Sequence, residues 1–117
     1  MHLLDLASLT QESVNRIFRR ADSLESRPAP MQGKSVLVLF PETSIRTRIT
    51  FELGIAQLGG TLVRFPPDIL ERKEDLRDLA GYLGNWIHLA VVRHPDFQLL
   101  TRFAGRAAFP VINAMTR

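Results

Sequence analysis

The sequence predicts an α/β domain in three layers, with a central parallel sheet of about four strands and helices on both faces. Segments with helical spacing alternate with short apolar segments, an order typical of βαβ units. The apolar segments are hydrophobic throughout, as in strands that are buried on both faces. With 117 residues, 45% of them hydrophobic and 23% charged, the chain fits one compact domain over residues 1–117.

The first elements follow from spacing and from residues that break structure. Residues 10–26 predict a helix, because Thr10 is a suitable N-cap and apolar residues recur behind it at helical spacing. Residues 27–33 hold two prolines and a glycine and predict a loop. Residues 35–40 form a short, continuous apolar run and predict the first strand.

The next helix is expected over residues 46–58, because a pair of glycines follows and ends it. Residues 61–65 predict the second strand, which two prolines stop, and the polar segment 68–75 comes after it. The remaining elements are a helix from residue 76, a strand, a short helix and a last strand. These last three are expected over residues 88–93, 97–104 and 109–113.

Composition excludes several classes of function. The net charge is +3, and the arginines form no polybasic run, so nucleic-acid binding is not favoured. The chain has no cysteine, and its three histidines lie too far apart to suggest a metal site. It shows neither a signal peptide nor an apolar stretch that could cross a bilayer. We therefore expect a cytoplasmic protein with no metal and no membrane partner.

Residues 43–48 are the most informative stretch of the chain. They hold three hydroxyl residues and two arginines, between a predicted strand and the start of a helix. Free N–H groups and the dipole at a helix N-terminus favour an anion, and arginine adds a planar fork of donors that suits phosphate. The alternative is an ordinary cap formed by Thr43 or Ser44. It does not explain Arg46 and Arg48, because cations oppose the dipole in the first turn of a helix.

Two further clusters follow the carboxyl ends of predicted strands, at Arg93-His94 and at residues 113–117. Ligands of parallel sheets bind outside these ends, so both clusters are candidate site residues. Glu52 lies one turn after Arg48 and is expected to form an ion pair with it rather than to act in acid–base chemistry.

Other side chains receive structural interpretations. We expect His94 at a solvated strand end, although a supporting role is possible, and His88 in a structural role. His2 is expected to be disordered or exposed. Tyr82 and Trp86 lie near a helix end and are expected to pack against the core. Two further arginines are expected on a solvated helix face: Arg102 and Arg106.

Taken together, these motifs resemble the N-terminal half of aspartate and ornithine carbamoyltransferases. That family carries a Ser-Thr-Arg-Thr-Arg signature followed by Ser-Phe-Glu. The resembling residues of this chain are Ser44-Ile-Arg-Thr-Arg48, Phe51-Glu52, Leu58-Gly-Gly60, Lys73-Glu74 with Asp78, Arg93, and Pro110-Val-Ile-Asn113. They cover nearly the whole chain and occur in the family's order.

The resemblance implies transfer of a carbamoyl group from carbamoyl phosphate to an amine, without a metal or an organic cofactor. Ornithine, giving citrulline in arginine biosynthesis, is the favoured acceptor, and aspartate is the alternative. The resemblance places Ser44, Ile45, Arg46 and Thr47 against the phosphate. Thr47, together with Arg93, is placed near the carbonyl oxygen that gains charge during the reaction. The catalytic residues implied are therefore Arg46, Thr47 and Arg93, and Arg93 and Lys73 also bind carbamoyl phosphate.

The resemblance also implies a homotrimer, in which a loop lysine reaches the neighbouring subunit's site. Lys73 is the best match, and Arg72 fills the role with a one-residue shift. Two positions depart from the family. Ile45 replaces a threonine and loses a hydroxyl, and Asp75 adds a negative charge. We also expect that a second, amino-acid-binding domain is absent from these 117 residues, so that they do not complete the reaction alone.

Two rival classes remain open at this point. One is a non-catalytic module that binds carbamoyl phosphate or another phosphate compound, or that serves oligomerisation. The other is a generic nucleotide-binding fold, which requires a glycine-rich turn after the first strand. Residues 41–48 contain no glycine, and this weakens the second rival.

Overall fold

The computed structural model describes residues 2–24, 29–71 and 75–116. Helices and strands alternate through these ranges in the predicted order. The helices are α1 (Gln11–Ser23), α2 (Arg46–Gln57), α3 (Leu76–Leu83) and α4 (Phe97–Arg106). The strands are β1 (Ser35–Leu39), β2 (Thr61–Phe65), β3 (Leu89–Val92) and β4 (Val111–Asn113). The sequence did not predict the short 3₁₀ helix over Pro67–Glu71.

The four strands form one sheet in the order β2-β1-β3-β4, and every pairing is parallel. This confirms the predicted α/β fold. Since parallel strands end at the same edge, the segments that follow β1, β3 and β4 meet at the carboxyl edge of the sheet. Candidate site residues follow both central strands: residues 43–48 follow β1, and Arg93 and His94 follow β3.

Both faces of the central strands are buried, as their continuous apolar sequence predicts. Alternate side chains of a strand point to opposite faces. In β1, Leu37 and Leu39 belong to a core cluster with α3 and α4, whereas Val36 and Val38 belong to a second cluster with Ile55 of α2. Helices therefore cover the sheet on both faces. Because α2 begins a few residues after β1 ends, its start lies at the carboxyl edge.

Helix α1 differs from the other three. The structure confirms Thr10 as its N-cap, since the Thr10 hydroxyl accepts a hydrogen bond from the Ser13 N–H at 3.0 Å. No residue of α1 is buried, and its apolar residues Ile17 and Phe18 are exposed. The last residues of the predicted helix, 25 and 26, lie outside the described residues.

The N-terminal segment adds to the outer edge of the sheet. Leu3 forms a parallel bridge with Ile112, through hydrogen bonds that join its N–H to the Val111 carbonyl and its carbonyl to the Asn113 N–H. His2 is ordered beside this bridge, because its Nδ1 accepts from the Val111 N–H at 3.0 Å. The expectation that His2 is disordered or exposed is therefore wrong.

The glycine pair after α2 fits its predicted role as a helix stop. Gly59 has a φ of +91°, a conformation that favours glycine. A Cβ at this position would approach the Ala29 Cβ to 2.9 Å. Among the described helices, none is long and apolar enough to cross a membrane.

Candidate functional site

The N-terminus of α2 lies just beyond the carboxyl end of β1 and has no side-chain cap. Its N-cap residue is Ile45, which has helical dihedral angles (φ −85°, ψ −55°) and offers no acceptor. The first internal hydrogen bond of the helix runs from the Ile49 N–H to the Ile45 carbonyl at 3.0 Å. Within the described residues, the N–H groups of Arg46 and Thr47 therefore have no partner. An ordinary cap by Thr43 or Ser44, the alternative interpretation of this stretch, is wrong.

Ser44 and Arg93 are brought together although they lie 49 residues apart. The Ser44 side chain is buried, and its hydroxyl accepts a hydrogen bond from Arg93 Nη1 at 3.0 Å. Arg93 follows β3, and its N–H donates to the Leu39 carbonyl at the end of β1. The guanidinium of Arg93 is thus fixed at the carboxyl edge, beside the open end of α2.

The cations at this end of α2 differ in their partners. Arg46 is exposed and forms no ion pair with any described residue. Arg48 donates from Nε to the Glu52 carboxylate at 2.6 Å, and Arg64 of β2 donates to the other carboxylate oxygen at 2.6 Å. The predicted ion pair of Glu52 is confirmed. Arg46 is therefore the cation of the signature that stays available to a ligand.

The two arginines also set the charge of Glu52. Partial burial raises the pKa of this carboxyl, but the hydrogen bonds and charges of Arg64 and Arg48 outweigh that effect and hold the pKa below its ordinary value of 4.5. Glu52 therefore stays ionised near neutral pH and keeps both guanidinium groups engaged. This arrangement joins the first turns of α2 to β2.

The structure places the other predicted site residues as follows. Ile45 is exposed next to the open N–H groups, so a side chain there faces solvent rather than the core. Asp75, the second departure, acts as the N-cap of α3 and accepts from the Arg77 N–H at 2.9 Å. Lys73, and Arg72 as its alternative, lie outside the described residues.

Thr47 has a neighbour that the sequence did not identify. Its hydroxyl donates a weak hydrogen bond to Sδ of Met115, at an oxygen–sulfur distance of 3.8 Å. Met115 lies in the cluster that follows β4, so the available signal was its position at a strand end rather than its residue type. With Arg93, it lines a cavity of about 320 Å³ beside the site.

His94 is buried, so the expectation of a solvated strand end is wrong. Its N–H donates to the Thr116 hydroxyl at 2.7 Å, and its Nδ1 accepts from the Asp96 N–H at 2.9 Å. Its Nε2 has no hydrogen-bond partner among the described residues and lies 3.6 Å from the Glu71 carboxylate. Because Nδ1 accepts, the proton of the neutral ring lies on Nε2. His94 thus holds the turn that follows Arg93.

The expectation for His88 is confirmed, whereas the expectation for Tyr82 and Trp86 is wrong. His88 is structural, as expected, because its Nδ1 accepts from the Ser35 N–H at 3.0 Å. Tyr82 and Trp86 do not pack into the core, since 65% and 63% of their surfaces are exposed. They line an apolar groove of about 670 Å³ together with Phe65. The arginines of α4 are exposed, as expected: Arg102 and Arg106.

The arrangement can hold a small dianion. Open N–H groups, the exposed guanidinium of Arg46 and the Ser44–Arg93 pair converge at one helix end, and each of these is a strong donor toward phosphate oxygens. In the part of the chain that the structure describes, no group of three histidine, aspartate or glutamate side chains is placed to hold a metal ion.

Comparison with known proteins shows which family the chain resembles. Residues 1–117 match the family model described as "Aspartate/ornithine carbamoyltransferase, carbamoyl-P binding domain". The chain is similar to the ornithine carbamoyltransferase of Aquifex aeolicus, with 38% identity over 107 residues that cover 90% of this chain and 35% of that protein. The corresponding enzyme of Halorhodospira halophila is 34% identical over 123 residues, which cover 98% of this chain and 41% of that protein.

A solved structure gives the same result. The anabolic ornithine carbamoyltransferase from Campylobacter jejuni superposes with a TM-score of 0.85 and 30% sequence identity. The match covers 98% of this chain and 39% of that one. The chain thus spans about two fifths of the length of the relatives that it matches.

Proposed function

The chain belongs to the aspartate/ornithine carbamoyltransferase family, and on that basis we propose that it binds carbamoyl phosphate at the N-terminus of α2, as the carbamoyl-phosphate-binding part of an ornithine carbamoyltransferase. The observation that carries this proposal is the uncapped start of α2 beside the Ser44–Arg93 pair. A helix start without an internal acceptor, in a family that handles a phosphate compound, is suited to hold the phosphate group.

In this proposal the phosphate lies against the open end of α2. The backbone N–H groups of residues 45–47 and the hydroxyl of Ser44 donate to its oxygens, and the unpaired guanidinium of Arg46 supplies the opposite charge. Ile45 contributes its N–H but no side-chain donor. Donors fixed in advance by the helix and by the Ser44–Arg93 hydrogen bond need little rearrangement when the ligand arrives.

The proposed reaction transfers the carbamoyl group to an amine, and charge develops on the phosphate and on the carbonyl oxygen. The acceptor amine attacks the carbamoyl carbon, a C–N bond forms, and the bond between that carbon and the phosphate oxygen breaks. The electron pair leaves with phosphate, and the amine loses a proton to solvent. The carbonyl oxygen gains charge on the way, and we assign Arg93 and Thr47 to stabilise it by hydrogen bonding. Their positions beside Ser44 and Met115 at the carboxyl edge support this assignment. The residues act by positioning and electrostatics.

We assign ornithine as the acceptor and citrulline as the product, which places the reaction in arginine biosynthesis. The relatives named above support this choice, because their names specify ornithine. We place the acceptor-binding residues in the part of those relatives that this chain does not match, as a second domain. Aspartate as the acceptor is the alternative. A cytoplasmic location follows from the same proposal.

We further propose that the complete enzyme is a homotrimer to which this domain contributes contact surface. The apolar groove beside Phe65, Tyr82 and Trp86 supports this assembly, because exposed aromatic side chains grouped on one face are typical of protein interfaces. Lys73 is assigned, as part of the same proposal, to a loop that reaches the neighbouring subunit's site. Sedimentation of the wild-type chain and a Trp86→Ser variant tests the contact surface.

Calorimetric titration of carbamoyl phosphate into the wild-type chain, Arg46→Ala and Arg64→Ala tests the site. We expect saturable binding by the wild type and an affinity about 10- to 100-fold lower for Arg46→Ala, because a charge-assisted hydrogen bond is lost. Arg64→Ala removes the same charge from a residue that pairs with Glu52, and its affinity should stay within about twofold of wild type. Equal binding by all three proteins would contradict the proposed site.

A further inference from the structure

Met115 adopts a backbone conformation that is unusual for its residue type. Its φ of +76° lies in the left-handed region, which costs a residue with a side chain about 1 kcal/mol or more. The turn is held in place from both sides. The Asn113 amide accepts from the Thr116 N–H at 2.6 Å and donates to the Thr116 carbonyl at 3.0 Å, and the Thr116 hydroxyl accepts from the His94 N–H. The surrounding hydrogen bonds therefore impose the position of Met115.

This position brings the thioether over the candidate anion site. Sδ of Met115 lies 3.8 Å from the Thr47 hydroxyl oxygen, and no other described residue accepts a hydrogen bond from that hydroxyl. A thioether is a weak acceptor, so a phosphate or carbonyl oxygen can displace it. Met115 is also 61% exposed, so reagents in solution reach its sulfur.

We propose that Met115 is an oxidation-sensitive cap of the anion site, an inference that rests on the proposed function. In the reduced state the thioether gives up the Thr47 hydroxyl to the ligand. Hydrogen peroxide oxidises it by two electrons: a sulfur lone pair attacks one peroxide oxygen, and the O–O bond breaks. The departing hydroxide takes the proton of the oxygen now bound to sulfur and leaves as water. The sulfoxide oxygen is a stronger acceptor than the thioether sulfur, so we expect it to retain the Thr47 hydroxyl against the ligand.

The chain contains an internal reference for this chemistry. Met31 is partly buried and packs against the cluster that α2 forms with the sheet, so its sulfur is less accessible than that of Met115. Accessible methionines oxidise first. Limited treatment with hydrogen peroxide, followed by peptide mass mapping, is therefore expected to show sulfoxide at Met115 before Met31.

The test measures the dissociation constant for carbamoyl phosphate by calorimetry before and after limited peroxide treatment. We expect oxidation of the wild-type chain to raise this constant about five- to tenfold, which is the effect of one lost hydrogen bond. Treatment with methionine sulfoxide reductases should restore the original value, since these enzymes reverse the modification. An unchanged constant with Met115 fully oxidised would overturn the proposal.

Two variants distinguish oxidation of Met115 from oxidation elsewhere in the chain. Met115→Leu has no sulfur at the site and should keep its own untreated constant after peroxide. Met31→Leu retains the cap and should lose affinity on oxidation as the wild type does. A loss of affinity in oxidised Met115→Leu equal to that of wild type would overturn the cap. If the reduced wild type binds no carbamoyl phosphate, the proposed function fails and the cap fails with it.

Discussion

The start of α2 differs from the starts of the other three helices described. Those three begin at a residue whose side chain accepts a hydrogen bond from the first turn: Thr10 for α1, Asp75 for α3 and Asp96 for α4. Helix α2 begins at Ile45, which has no such acceptor. Each cap is provided by a residue type with a strong preference for that position, whereas isoleucine is among the poorest choices.

The difference extends to charge. Helices α1 and α3 carry an acidic residue in the first turn, which suits the positive end of the helix dipole. The first turn of α2 has no acid and instead holds Arg46 and Arg48. An uncapped helix start with cations is unfavourable when it is empty, and a bound anion relieves both defects. The contrast teaches that three of the helix starts are satisfied within the chain, whereas the start of α2 leaves its N–H groups without a side-chain acceptor, as the proposed anion site requires.

Ile45→Asp is the variant that should alter this contrast most. It introduces a carboxylate beside the open N–H groups, at an exposed position where no packing is lost. Repulsion between this charge and a bound phosphate is worth about 2 kcal/mol, so we expect carbamoyl phosphate affinity to fall about 30-fold. Calorimetric titration measures the loss, and Ile45→Asn controls for the change in shape. Unchanged affinity in Ile45→Asp would mean that the anion binds elsewhere.

Asp96→Ala removes the side-chain cap of α4, one of the three helices that begin with such a cap. The carboxylate accepts from the N–H groups of Gln98 and Leu99, at 2.9 and 3.2 Å. We expect the free energy of unfolding to fall by about 1–2 kcal/mol, measured by denaturant titration. Asp96→Asn should retain most of the stability, because asparagine also caps. Equal losses in the two variants would contradict a capping role for this side chain.

Glu52 gives the smallest expected effect and sharpens the contrast between the paired and unpaired arginines. Its pKa is lowered in the folded chain, so its contribution to stability is fully present above the unfolded value near 4.5 and is lost as pH falls through the folded value. We expect Glu52→Gln to lower stability at pH 7 by about 1 kcal/mol or less. Its unfolding free energy should also fall less than that of wild type as pH drops below about 4.5. Parallel pH profiles for the two proteins would exclude this role.

The sequence predicted those parts of the fold that local patterns determine. The four strands were located because continuous apolar runs mark them, and α3 because its apolar residues recur at helical spacing. The ion pair of Glu52 with Arg48 follows from helical spacing alone. The capping role of Asp75 was not predicted. The placement of Arg93 beside Ser44 is a consequence of parallel pairing between β1 and β3. Since the alternation of strands and helices predicts parallel strands, the sequence also predicts that Arg93 and Ser44 lie at the same edge of the sheet.

Other features depend on contacts between distant segments. The side chain of His94 is buried, and its backbone N–H donates to Thr116, 22 residues away, whereas a solvated strand end has the same local sequence. Tyr82 and Trp86 lie on a face that no described element covers, which their residue types alone do not indicate. Met115 reaches Thr47 only through the turn after β4. Such contacts need the tertiary arrangement, because no local pattern encodes them.

The pairing of Leu3 with Ile112 has a consequence for the order of folding. This contact closes a loop of nearly the whole chain, with hydrogen bonds there joining residues 109 positions apart. The entropic cost of closing a loop of that length is about 4 kcal/mol, against about 3 kcal/mol for the β1–α2–β2 unit, in which Ser35 pairs with Thr61. The unit should therefore assemble early and the Leu3 contact late. Whenever this contact opens, the outer edge of β4 is left unpaired, and an unpaired edge is a template for another chain. By pairing with β4 late in folding, the first few residues protect its outer edge from pairing with a strand of another chain.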